Sequence, residues 1–433
     1  MRMNYQEAMD FILGTPNSND ITDRGVMDCL LGHLGDPHKG LKYIHVAGTN
    51  GKGTTSAFLA SVLREAGYKT GLYTSPFIQR FNERIQVNGV QIPDENLAEL
   101  TGKIADACDQ VETDGHRRPT IFELITALGF LWFQQEKCDV VVLEVGLGGR
   151  LDATNSILPA DSVISCMVNI GFDHMELLGN TLPLIAGEKA GIIKEGGDVV
   201  VYGQSDEVEE VFFKTCQEKH ARYTRSDNES AVVTKADVTG TVFDFGPWTG
   251  LKISLLGRYQ VRNACTAVTV IERLMDKGWH ITVGDLYRGM EKAHWPGRVE
   301  LLRQDPIVIV DGAHNPQGFE ALMETMDQLF PGKKLNIVLG VLADKDFGKG
   351  IDIAAPHAKK FFAVTPPSYR ALSSGELAEE IRHHSGAPVV PFENIPAAIE
   401  AAMQESANDD VVCILGSLYQ VGDVRTYFGR KTF

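Results

Sequence analysis

The sequence predicts an α/β protein of two units, each built on a mostly parallel sheet. Three observations predict it. Apolar runs of strand length alternate with amphipathic helical stretches along much of the 433 residues. Residues 140–145 form an apolar run broken only by Glu144, so both faces of that strand need cover, as in a parallel sheet. The alternation restarts after Pro296-Gly297, a strong turn signal between periodic segments.

The elements follow in order. Residues 43–47 read as a buried strand ending at Gly48, and 54–66 as a helix with Phe58, Leu59, Val62 and Leu63 on one face. Gly67 stops that helix, and 70–74 read as the next strand. Residues 85–92 alternate apolar and polar around Asn88-Gly89, which predicts a hairpin with a type I′ turn. Pro93-Asp94 starts another helix. From 231 to 256 the pattern is β-rich, and a helix follows over 260–275. The second unit offers strands at 307–310, 335–339, 361–364 and 411–415, with helices around 316–329, 374–384 and 396–405. The boundary is placed near Trp295–Gly297, giving units of 1–296 and 297–433.

Composition excludes several classes. A hydrophobic share of 43% is that of a globular chain. The net charge of −16 excludes a global basic footprint for nucleic acid, though a local basic pocket remains compatible with it. Acidic residues at Glu7 and Asp10 and the lack of an apolar run behind them argue against a secretory signal. No apolar run approaches the ~18 residues of a membrane span. The seven scattered cysteines contain no C-x-x-C and read as buried thiols in a reducing cytoplasm.

The sharpest motif is Gly48-Thr49-Asn50-Gly51-Lys52-Gly53-Thr54-Thr55, between strand and helix. Such a turn points backbone N–H groups at an anion, and the helix dipole adds to the attraction. Lys52 can reach terminal phosphates, and Thr54 or Thr55 can join a phosphate or metal shell. The generic phosphate loop is matched imperfectly: residue 46 is Val where Gly is needed, and Gly53 separates Lys52 from Thr54. The first unit is therefore read as a phosphate-loop ATPase type.

The loop resembles the ATP loop of the Mur ligase superfamily. Tyr73-Thr74-Ser75-Pro76-Phe77 and Arg80-Phe81-Asn82-Glu83-Arg84-Ile85 resemble its folylpolyglutamate synthase and dihydrofolate synthase branch. So do LEVGLGGRLDATN at 143–155, EKAGIIK at 188–194, HWPGR at 294–298, DGAHNP at 311–316 and GSLY at 416–419. These strings run through both units. The resemblance implies a Mur ligase-like ATP-binding unit followed by a Rossmann-like ligase unit. It implies an ATP-dependent ligase that adds L-glutamate to a folate through an acyl phosphate.

Glu144 sits inside an apolar strand, and a carboxylate buried there needs a partner. Magnesium would supply one. The resemblance implies that Ser75, Glu144 and His174 hold magnesium, two ions in all, with a monovalent cation nearby. It implies that Lys189 is carbamylated, which a desolvated, neutral lysine can undergo with CO₂. Lys52, Lys189 and His174 are the catalytic candidates. Asn50, Gly51, Lys52, Gly53, Thr54, Asn263, Arg298, Asp311 and His314 are the implied ATP contacts. Arg298 follows the hinge, which suits a contact made on domain closure. Lys345 and Ser417 are candidates for the incoming glutamate.

For the folate, the resemblance points to Phe77, Arg84, Phe122, Glu123, Thr126, Asp152, Ala153 and Thr154. Phe77 and Phe122 could stack on a pterin, although Phe at helical spacing is more often core. Members that only extend folates can diverge in the second pterin segment. Arg150-Leu151-Asp152-Ala153-Thr154-Asn155 is intact, so both activities are expected. The partners expected are ATP, L-glutamate and a reduced folate or dihydropteroate, with no nucleic acid or membrane, and the chain acting as a monomer. Two rivals remain. A cell-wall ligase for UDP-muramoyl precursors would need an extra domain before the loop, and only 47 residues precede Gly48. A non-catalytic nucleotide-binding module would not need Glu144, His174 and Asp311 together.

Overall fold

The computed structural model describes residues 2–15, 24–407 and 410–431. The first half centres on an eight-stranded sheet. Its strands are β1 (Tyr43–Ala47), β2 (Thr70–Tyr73), β3 (Ile85–Val87), β4 (Val90–Gln91), β5 (Val140–Glu144), β6 (Ser162–Met167), β7 (Asp198–Tyr202) and β8 (Arg222–Ser226). Their order is β4-β3-β2-β5-β1-β6-β7-β8. All pairings are parallel except the β2-β3-β4 meander. Asn88 and Gly89 both have positive φ, 53° and 80°, as a type I′ turn requires.

Strand β5 explains the apolar run at 140–145. Val141 and Leu143 join the core beneath helices Tyr5–Gly14, Arg24–His33, Asp94–Thr113 and Ile121–Gln135. Val140 and Val142 point the other way, into the core under helices Lys52–Glu65 and Arg258–Asp276. The β-rich stretch is a small antiparallel sheet of β9 (Val232–Asp237), β10 (Gly240–Phe245) and β11 (Trp248–Ile253). It packs Phe243, Leu251 and Ile253 into that second core.

The second half is a six-stranded sheet of β12 (Glu300–Gln304), β13 (Ile307–Val310), β14 (Leu335–Leu339), β15 (Ala358–Ala363), β16 (Val389–Pro391) and β17 (Val411–Leu415). Its order is β12-β13-β17-β14-β15-β16, parallel except for β12. Strand β15 starts three residues before the expected 361. Its extra residues include Lys359 and Lys360, whose ammonium groups pair with Asp410 and Glu405, so they carry no apolar signal. No described helix is long and apolar enough to cross a membrane. All seven cysteines are free and six are buried. Half-buried Cys29 lies beside His33 and Asp114, whose side chains pair at 2.8 Å.

The halves touch at several points. Gln79 donates to Thr426 and to the Arg430 carbonyl, and accepts from Arg425. Asn50 donates to Gln317 Oε1 at 2.8 Å and accepts from the Asn315 side-chain amide at 3.2 Å. These contacts leave a cleft of about 830 Å³ where the carboxyl ends of the strands meet.

Candidate active site

The cleft is built from the phosphate loop upward. Helix Lys52–Glu65 begins directly after β1 and Gly48, with Gly51 at its N-cap in the left-handed region (φ 92°). A Cβ at Gly51 would fall 2.5 Å from Asn263 Oδ1, and one at Gly53 would fall 2.6 Å from the Trp295 ring. Both glycines therefore serve close packing as well as backbone freedom. Lys52 Nζ donates to the Gly48 and Thr49 carbonyls, each at 3.1 Å. Thr54 lines the cleft, whereas Thr55 is fully buried outside it.

Glu144 ends β5, with its side chain in the cleft wall and the residue only 3% exposed. The Ser75 N–H donates to its carboxylate at 3.2 Å. Burial pushes its carboxyl up to about 7, and Lys52, Arg298 and Arg84 pull against that shift. A buried carboxylate with so little hydrogen bonding fits a hard cation. Ser75 and His174 line the same cleft. Burial lowers the His174 pKa, with Asp173 opposing, so a neutral imidazole with a free lone pair is favoured. The donor set of Ser75, Glu144 and His174 therefore fits magnesium.

Lys189 lies in helix Leu182–Ala190, 4% exposed and lining the cleft. Burial, with neighbouring Lys52, pushes its ammonium down to about 7. A neutral amine is thus accessible near physiological pH, which is what carbamate formation needs.

The second half closes the cleft through loops at its strand ends. Asp311 follows β13; its carboxylate accepts from the Val299 and Ala313 N–H groups at 2.8 and 2.7 Å. Burial raises its carboxyl pKa, with Arg298 opposing. Val299 has φ 44°, a costly backbone for a β-branched residue, and its bond to Asp311 holds it there. That fixes the chain on which Arg298 reaches the cleft. His314 Nδ1 lies 2.8 Å from the Gly312 carbonyl, and Asn263 donates to Gln260 at 3.1 Å. Ser417 caps helix Leu418–Tyr427. Lys345 donates to Asp173 at 2.7 Å, an ion pair across the two halves.

The cleft gathers Asn50, Gly51, Lys52, Gly53, Thr54, Ser75, Arg84, Phe122, Glu144, Asp152, His174, Lys189, Asn263, Arg298, Asp311, His314, Lys345 and Ser417. It does not gather five of the folate candidates. Phe77 lies outside the lining, with the Arg84 guanidinium 5.2 Å from its ring centroid. Glu123 is fully buried, paired with Arg117 at 2.8 Å and capping its own helix at Thr120. Thr126 bonds the Phe122 carbonyl and Tyr73 hydroxyl. Ala153 and Thr154 are fully buried behind Asp152.

Asp173 was not among the sequence candidates, although it immediately precedes His174. Burial pushes its carboxyl up, but His314, His174 and Lys345 outweigh that and hold it well below the usual range. Its one local signal was its place directly before His174; its partner Lys345 lies 172 residues further along the chain. Asn315 and Gln317, also missed, sit in and just after the Asp311–Pro316 string. Nine basic and seven acidic residues line the cleft, so it is locally positive in a chain of net charge −16.

Phosphate loop, buried carboxylate and a second α/β unit over one cleft define a nucleotide-driven ligase site. Comparison with known proteins agrees. Residues 46–271 match the Mur ligase middle domain, and residues 297–418 match the Mur ligase glutamate ligase domain. The chain is 38% identical over 434 residues to the dihydrofolate synthase/folylpolyglutamate synthase of Bacillus subtilis, covering 97% of this chain and 98% of that one. The Mycobacterium tuberculosis folylpolyglutamate synthase complexed with ADP superposes with a TM-score of 0.89 at 28% identity, covering 99% and 98%. The E. coli FolC structure with DHPP and ADP gives 0.86 at 29% identity, covering 98% of each chain. The chain belongs to the folylpolyglutamate synthase/dihydrofolate synthase family of the Mur ligases. It is accordingly an ATP-dependent acid–amino acid ligase.

Proposed function

We propose that this chain joins L-glutamate to folates, extending tetrahydrofolyl-polyglutamates, and also joins L-glutamate to dihydropteroate to give dihydrofolate. One observation carries the reading: a single cleft holds the phosphate loop, Glu144, Lys189 and residues Arg150, Leu151 and Asp152 of the intact 150–155 turn together. The name of the Bacillus subtilis relative, which pairs the two synthase activities, supports it.

In the first step the acceptor carboxylate attacks the γ-phosphorus of ATP. A new O–P bond forms, the bond to the β-phosphate oxygen breaks, and ADP leaves. Lys52 and Arg298 offset charge on the transferring group. Magnesium held by Ser75, Glu144 and His174 would neutralise phosphate charge there. The glutamate amine, as its free base, then attacks the acyl carbon; a C–N bond forms, the C–O bond breaks, and phosphate leaves with the proton that the nitrogen gives up. Lys345 and Ser417 position the glutamate, and no covalent enzyme intermediate is needed. Neutral Lys189 adds to CO₂ with loss of a proton, leaving an anionic carbamate beside the site. A monovalent cation belongs to the same reading.

Residues 1–296 and 297–433 act as two domains that close on the nucleotide, a division supported by the gap between the two family matches at 271 and 297. Both walls come from one chain, which suits a monomer. Seven free cysteines suit the cytoplasm. The test is phosphate release from ATP with acceptor and glutamate supplied singly and together. Release that needs both is expected; release independent of glutamate would refute the ligase reading.

A further inference from the structure

His45 is the one basic residue in β1, Tyr43-Ile44-His45-Val46-Ala47, a strand that is buried throughout. Strands β5 and β6 flank it, with Leu143 and Ser165 as its register partners. Its imidazole is fully buried, and Nδ1 has no hydrogen-bond partner among the described residues. Leaving that nitrogen unpaired costs free energy that an apolar side chain would not incur. Something must offset the cost.

The other nitrogen supplies the reason. His45 Nε2 lies 2.8 Å from Thr154 Oγ1. Thr154 Oγ1 lies 2.5 Å from Asp152 Oδ1, and the Thr154 N–H donates to the same oxygen at 3.0 Å. The Leu147 N–H holds Oδ2 at 2.9 Å. A carboxylate only accepts, so the Thr154 hydroxyl donates to Asp152 and must accept from His45. His45 is thereby the Nε2–H tautomer, and its Nδ1 is the bare, unpaired one. Burial and the nearby Lys194 favour the neutral ring, in keeping with this assignment. The relay runs from the sheet interior to the cleft, whose wall Asp152 lines.

We propose that His45 is a positioning residue for the pterin-bearing acceptor, fixing the Thr154 hydroxyl and through it the Asp152 carboxylate. The proposal rests on the reading of Asp152 as an acceptor-binding group. A purely structural histidine would affect ATP and acceptor alike. A positioning one affects the acceptor alone.

The experiment compares His45→Leu, His45→Gln and Asp152→Asn by steady-state kinetics, with dihydropteroate and tetrahydrofolate as acceptors. His45→Leu is expected to raise the acceptor KM about tenfold and to leave the ATP KM within about twofold. His45→Gln keeps an N–H donor and is expected to restore most of the loss. Adding His45→Leu to Asp152→Asn is expected to change the acceptor KM no further, because the relay already ends in a lost carboxylate. If His45→Leu does not fold, Thr154→Val breaks the same relay and carries the same expectation. An unmoved acceptor KM in His45→Leu, with Asp152→Asn still raising it, would overturn the relay alone. Acceptor and ATP KM rising together would overturn it too. An unmoved acceptor KM in Asp152→Asn would remove the acceptor reading itself, and the proposal with it.

Discussion

Glu144, Asp152 and Lys189, from the eight-stranded half, are each less than a tenth exposed, whereas Arg298, His314 and Lys345, from the six-stranded half, are only partly buried. The first set shows pKa values shifted mainly by burial, in the direction that weakens each charge. Lys345 instead forms an ion pair across the cleft with Asp173. The difference separates two tasks. The first half holds preorganised groups whose charge is costly without phosphate or metal beside them. In the second half Asp311 is as buried as Glu144, but Arg298, His314 and Lys345 are partly open to solvent, which suits contacts made once ligand is in the cleft.

The largest expected effect tests the first task. Lys52→Ala should lower kcat by about a thousandfold or more while the far-ultraviolet circular dichroism stays unchanged. Near-normal turnover would remove the loop from the chemistry.

Next comes Lys189. Lys189→Ala should lose about a hundredfold in kcat and regain part of it with acetate or formate in the assay. The pH sign follows from its ammonium value of about 7. The neutral amine predominates above that value, so bicarbonate stimulation of the native enzyme should grow from pH 6 to pH 8. Stimulation that shrinks over that range would contradict a carbamate.

The second half should respond differently. Lys345→Met should raise the glutamate KM about tenfold and leave the ATP KM nearly unchanged. Equal rises in both would place Lys345 with the preorganised groups and blur the comparison.

The smallest effect is on stability. The Glu144 carboxyl is at about 7 in the fold against 4.5 for an ordinary glutamate. The folded state therefore holds the extra proton between these values, and stability of the ligand-free protein falls as pH rises through them. Glu144→Gln removes the buried charge. It should stabilise the ligand-free protein by about 3 kcal/mol at pH 8 and by almost nothing near pH 4.5, read by urea unfolding. A variant less stable at pH 8 would mean that Glu144 already has the partner it needs.

Much of this was legible in the chain. Strands β13 and β17 begin and end where apolar runs do, because buried parallel strands carry near-continuous apolar sequence, and β1 and β14 depart from that only at His45 and Asn336. Strand β12 was not legible: it is an edge strand, and Arg303 and Gln304 give it no apolar pattern. The four helices covering one face of the first sheet were only partly anticipated, since their apolar faces gain meaning only beside Val141 and Leu143. In the site, Glu144 stood out as a charge inside an apolar strand. His45 carries a similar signal in β1, but its partner Thr154 lies 109 residues away and no local pattern links the two. Glu123 shows the opposite limit. Its Thr120 capping box was written in the sequence, and this local role, with Arg117, accounts for its burial away from the cleft.

The most direct measurement resolves products by mass while counting ADP. ATP, glutamate and either tetrahydrofolate or dihydropteroate are mixed with the magnesium-supplied enzyme. The account predicts one ADP and one phosphate per product, with each product heavier than its acceptor by one glutamyl residue. ADP formed at the same rate without acceptor, or without any gain in product mass, would contradict it.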